Sequence, residues 1–144
     1  MKEINSDIEI NASSLKVWDV LINFDNYPKW NPFMKISGNP QKGSTIQVFI
    51  KPPNSKGMTF KPKILEYVPM KKIRWIGKTW IPGLFDGEHS LIIKEIDENK
   101  VQFIQKEKFT GIFVPIFSGL LKNTHKGFEM MNNALKNESE KINN

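Results

Sequence analysis

A chain of 144 residues with 39% hydrophobic and 25% charged content has the make-up of a single globular domain over 1–144. It is long enough to bury roughly 70% of its unfolded surface, which argues against disorder. The absence of cysteine excludes disulfides, thiolate metal sites and a cysteine nucleophile. The net charge of +6 raises nucleic acid as a partner, yet Arg74 is the one arginine among 21 basic residues and the lysines are dispersed, so no nucleic acid is expected.

The N-terminal MKEINSDIEI has no apolar run of signal-peptide length, and no segment approaches the ~20 apolar residues of a membrane span. A cytoplasmic location follows as the expectation, with membrane contact at most transient. Lys2 to Ile10 alternates and predicts a strand with Ile8 and Ile10 on one face. Asn11 to Ser14 supply capping residues for a helix over LKVWDVLINF, whose apolar positions Leu15, Trp18, Leu21 and Ile22 recur at helical spacing. Pro28 and Pro32 then divide FDNYPKWNPF into a turn of helix and a loop, a proline-stiffened stretch crowded with Phe24, Tyr27, Trp30 and Phe33.

From Lys35 the pattern is β. Thr45 to Lys51 places Ile46, Val48 and Ile50 on one face, and after the loop at 52–57 a strand is expected over Met58 to Val68. Ile73 to Ile76 follows the turn at Pro69 to Lys72. Gly87 to Ile96 and Val101 to Phe109, joined through Asp97-Glu98-Asn99-Lys100, form the clearest hairpin. Ile112 to Phe117 is apolar without alternation. From Phe117 to Ile142 Leu121, Thr124, Phe128, Met131 and Leu135 mark one face of a long helix. The order of strand, helical pair, six further strands and one long helix predicts an α+β fold in which the last helix covers an antiparallel sheet.

That order, together with ASSLKVWDVLINFDNYPKWNPF, IRWIGK, GLFDGEHSL, QKEKFTGIFVP and KGFEMMNNALK, resembles the START-like helix-grip superfamily, also called SRPBCC. The chain is most similar to its polyketide cyclase/dehydrase and lipid-transport branch. The resemblance implies a curved antiparallel sheet of about seven strands wrapped around the C-terminal helix. It also implies two short helices between strands 1 and 2 and an apolar cavity between sheet and helix. Chemistry is not implied, because the superfamily includes carriers, receptors and enzymes.

The hairpin carries the candidate polar site. Lys106 and Lys108 mark one face of the second strand as solvent-facing, so Gln105 and Glu107 point inward among Phe103 and Phe109. If the hairpin closes around Glu98, His89 lies across from Glu107 and shares its face with Leu91. An inward glutamate is costly unless paired or protonated. His89, Gln105 and Glu107 therefore read either as the polar end of a ligand cavity or as a hydrogen-bonded strut bridging strands. The expected apolar lining is Trp30, Phe33, Trp75, Phe85, Leu91, Phe103, Phe109, Phe128 and Met131.

The leading function is binding of a small hydrophobic molecule, a lipid or polyketide-like compound. The alternative is a cyclase or dehydratase using His89 and Glu107 as an acid/base pair, and no recognisable nucleophile or oxyanion device favours it. A third reading is a protein-interaction module that uses the exposed sheet or the 112–117 segment, which the sequence leaves open as a lip, an interface or core. No cofactor is called for. His125, at the flank of the last helix, has no ligand-like spacing such as HxxxH, so no metal is expected. The sequence assigns no oligomeric state.

Overall fold

A computed structural model describes residues 2–78, 86–111 and 118–141. β1 (Lys2–Ile10) leads into α1 (Ser14–Ile22), a 3-10 turn (Phe24–Asn26) and α2 (Tyr27–Trp30). Then come β2 (Met34–Ser37), β3 (Gln47–Ile50), β4 (Met58–Phe60), β5 (Lys63–Val68), β6 (Lys72–Lys78), β7 (Asp86–Asp97) and β8 (Lys100–Thr110). The chain closes with α3 (Ser118–Ser139).

Antiparallel pairing gives one sheet in the order β1-β8-β7-β6-β5 and a second in the order β2-β3-β4. The two are nearly continuous. A bridge between Thr45 and Lys63 extends the register in which Val48 faces Phe60 and Ile50 faces Met58. The Ile46 N–H donates to the Pro62 carbonyl and the Ile64 N–H to that of Ser44, both at 2.9 Å. The expected single strand over Met58 to Val68 is thus split at Lys61-Pro62, because Pro62 has no N–H to donate and its ring fixes φ. Counting β4 and β5 as one interrupted lane recovers the seven lanes of a helix-grip sheet.

The first helix starts where expected, with the Ser13 side chain accepting from the Lys16 N–H at 3.2 Å. Its buried residues are Val17, Trp18 and Leu21, whereas Leu15, which the spacing placed on the apolar stripe, is 55% exposed. The correction follows from helix geometry: Val17, Trp18 and Leu21 define the centre of the buried face, and Leu15 lies beyond its edge.

The aromatic stretch after α1 is mostly core. Phe24, Tyr27 and Phe33 are buried, and Trp30 is half-buried with its ring 4.9 Å from that of Tyr27. The Tyr27 hydroxyl donates to the Leu21 carbonyl in the last turn of α1, and burial pushes its phenol well above the ordinary tyrosine range. Asn31 Oδ1 accepts from the Phe33 and Met34 N–H groups at 3.0 and 2.9 Å, turning the chain into β2. Tyr27→Phe should leave the Leu21 carbonyl buried without that donor and cost about 1–2 kcal/mol. Urea denaturation should show a lower midpoint at unchanged slope.

α3 lies against β1, with further contacts to α1 and α2. Its buried side carries Leu121, Thr124, Phe128, Met131 and Leu135 as the periodicity predicts, and also Gly127, Asn132 and Ser139. Near its end Lys136 Nζ reaches the Glu9 carbonyl and Glu140, while Glu140 accepts from the Asn11 N–H. The Lys136 ammonium and the Asn11 N–H hold the Glu140 carboxyl below its usual range.

Candidate functional site

The pleat brings inward side chains of neighbouring strands into rows. Trp75 on β6 faces His89 on β7, His89 faces Glu107 on β8, and Glu107 faces Ile4 on β1. One step along, Ile73, Leu91, Gln105 and Ser6 form the parallel row. The hairpin register expected from the sequence is therefore the one observed.

His89 is buried and held on every side. Its Nδ1 lies 2.7 Å from Glu107 Oε2, and its Nε2 lies 3.0 Å from Gln105 Oε1. The Trp75 ring stacks on the imidazole at 5.2 Å and 19°, and Phe128 from α3 presents its ring at 4.9 Å and 73°. Gln105 Nε2 donates to Asn132 Oδ1 at 2.7 Å and to the Phe128 carbonyl at 3.3 Å. Asn132 Nδ2 then donates to Ser6 Oγ at 2.9 Å. This chain joins β7, β8, α3 and β1 through one polar seam.

The seam fixes proton positions. The Phe128 carbonyl can only accept, so the Gln105 amide nitrogen faces it and Oε1 faces His89. Nε2 of His89 must then carry a hydrogen. Oε2 lies 2.7 Å from Nδ1 but makes no aligned hydrogen bond, so the two side chains are in close contact without a directional bond between them.

The other oxygen of Glu107, Oε1, lies over the backbone of Gly87. A Cβ built on Gly87 would lie 2.6 Å from Oε1, so the carboxylate lies against a backbone with no side chain. Glu107 is a wall of two adjoining hollows of about 50 and 40 Å³. The larger is lined by Phe33, Ile50, Met58, Phe60, His89, Phe109, Thr124 and Phe128 besides Glu107, and the smaller by Phe60, Gly77, Gly87 and Phe109. They lie toward the end of the sheet where β6 ends, β7 begins and β8 ends. Each has room for one or two waters or for the end of a ligand, against the roughly 300–1,000 Å³ of a complete drug-sized pocket.

Of the residues expected to line a cavity, the structure brings Phe33, His89, Glu107, Phe109 and Phe128 to these hollows. Leu91, Phe103, Gln105 and Met131 are fully buried behind them, and Trp75 backs the His89 ring. Trp30 stands apart, packed on Tyr27, with a buried indole N–H that finds no partner among the described residues. Phe85 and the 112–117 segment lie outside the described residues. His125 pairs with Glu129 at 3.0 Å and its Nε2 lies 3.1 Å from the Asn5 carbonyl of β1. Among the described residues no cluster of three His, Asp or Glu side chains is placed to hold a metal.

Sequence reasoning missed Asn132 and the β3–β4 wall of Ile50, Met58 and Phe60. Asn132 had a signal, since it follows Phe128 by four residues on the buried face, where an amide demands a partner. Gly87 had one too, as a glycine opening a predicted strand marks a close approach; Gly77, which pairs with it, lies just past the expected end of its strand at Ile76.

The curved sheet with a long helix laid across it and short helices between its first two strands defines the START-like, helix-grip class. A family model described as polyketide cyclase/dehydrase and lipid transport matches residues 1–141, and the chain belongs to that family. Among solved structures it is similar to the ZhuI aromatase/cyclase from Streptomyces sp. R1128, with a TM-score of 0.78 at 14% identity over 96% of this chain and 93% of that one. A START superfamily protein from Mycobacterium smegmatis matches with a TM-score of 0.73 at 15% identity, over 96% and 97% of the two chains. The di-domain aromatase/cyclase BexL of the BE-7585A biosynthetic pathway matches with a TM-score of 0.75 at 14% identity; the match covers 97% of this chain but 47% of that one. No curated protein matches the chain by sequence. Among the described residues no helix is long and apolar enough to cross a membrane.

Proposed function

We propose that the chain acts as one domain inside the cell and binds a small hydrophobic molecule, with the molecule's polar end at Glu107 between the sheet and α3. The observation that carries this is a mostly buried carboxylate, 14% exposed, that borders hollows walled by Phe33, Phe60, Phe109 and Phe128, with Oε1 set against the bare backbone of Gly87. A pure strut would turn both oxygens into the protein, since an acceptor left facing an apolar hollow costs free energy unless something occupies it. The family's description, cyclase/dehydrase and lipid transport, agrees with this reading.

Native mass spectrometry of protein purified gently from its source should show an additional, extractable apolar mass. Bare protein in repeated preparations, with no thermal shift from any amphiphile tested, would overturn the proposal.

A second reading is supported by the 2.7 Å separation of His89 and Glu107, an acid and a base already joined beside an apolar space. On this reading the site performs cyclase- or dehydratase-type proton transfer. It requires that Glu107→Gln abolish turnover of a polyketide-like substrate while leaving its affinity within a few-fold. Equal loss of affinity and turnover would favour the binding reading.

A further inference from the structure

Resting on the binding reading above, we infer that the ligand enters this site with a hydrogen-bond donor, a hydroxyl or an amine, and that the site rejects carboxylates and phosphates. The placement of the Glu107 carboxylate decides this. Its Oε1 lies over the backbone of Gly87, and both residues wall the smaller hollow, so the group presented there is a hydrogen-bond acceptor.

Nothing on the described walls offers the opposite. His89 has Nε2 committed to Gln105 and Nδ1 to Glu107, so neither ring nitrogen is available to a ligand anion. Thr124, the other polar side chain on the larger hollow, already has a partner. Among the described residues no lysine or arginine lines either space, although the chain as a whole is basic. A carboxylate brought here would meet an acceptor in a low-dielectric setting with no compensating donor.

Space agrees with chemistry. Gly77 and Gly87 face each other across β6 and β7, and their missing side chains leave the smaller hollow beside Oε1, between Phe60 and Phe109. That volume suits a hydroxyl or amino group with its first carbon or two.

Isothermal titration calorimetry with four probes of equal chain length, decanol, decylamine, decanoate and decyl phosphate, tests this. Decanol and decylamine should bind wild-type protein at least about tenfold more tightly than the two anions, as expected for one hydrogen bond to a charged group. Glu107→Leu should erase that difference. Glu107→Gln should preserve the decanol preference, because its amide nitrogen can donate to Nδ1 while Oε1 stays outward. Decanoate binding as tightly as decanol would overturn the inference and leave the binding reading standing, as would a preference that survives Glu107→Leu. If none of the four probes binds wild-type protein, both fall together. Should Glu107→Leu fail to fold, the wild-type ranking of the four probes decides alone.

Discussion

Replacing His89 with alanine should destabilise the protein by about 3 kcal/mol, the penalty for leaving a largely buried carboxylate without its partner. Three losses coincide. Glu107 Oε2 loses the imidazole at 2.7 Å, Gln105 Oε1 loses its donor at 3.0 Å, and the Trp75 and Phe128 rings face a void. Chemical denaturation should show the fall as a lower midpoint. The double variant His89→Ala/Glu107→Leu should recover much of it, because no charge is then left orphaned in the interior. A double variant no more stable than the single one would mean that cavity formation, not charge, dominates, and the seam would then be structural in origin.

Gly127→Ala should also destabilise, by about 2 kcal/mol, although alanine in a helix interior ordinarily gains about 1 kcal/mol over glycine. A Cβ at Gly127 would lie 2.3 Å from Phe33 Cε1 and 2.4 Å from Cδ1. Phe33 has no easy retreat, being 1% exposed and set edge-on to Phe128 at 5.8 Å. The strain should pass into the larger hollow, since Phe33 and Phe128 are both its walls. Adding Phe33→Leu should return most of the lost stability, as the shorter side chain clears the new methyl. A stabilised Gly127→Ala variant would show that Phe33 can move and that this wall is softer than its burial suggests.

The hairpin of β7 and β8 was legible because two lysines fixed its outer face, and strand periodicity then placed His89 across from Glu107. The buried stripe of α3 was legible for the same kind of reason, with apolar residues at helical spacing. What the sequence concealed depended on contacts between distant segments. The full-length pairing of β1 with β8 brings Ser6 to Gln105, and only α3 seated on β1 adds Asn132 to them. Pro62 announced its break and was overridden by the alternation around it. Leu15 misled because a helix face is set by what packs on it, not by the first apolar residue in the repeat. The size of the space was the least legible feature, since Phe103, Met131 and Leu135 fill much of the sheet–helix gap and leave room around Glu107.

The most direct test of a ligand end entering between sheet and α3 is a titration of ¹³C-methyl-methionine protein with decanol, followed by NMR. Met58 lines the larger hollow, and Met70 stands exposed at the turn between β5 and β6. The Met58 methyl should show a saturable shift while the Met70 methyl stays in place. A Met58 signal that does not move at saturating decanol, or a response confined to Met70, would contradict it.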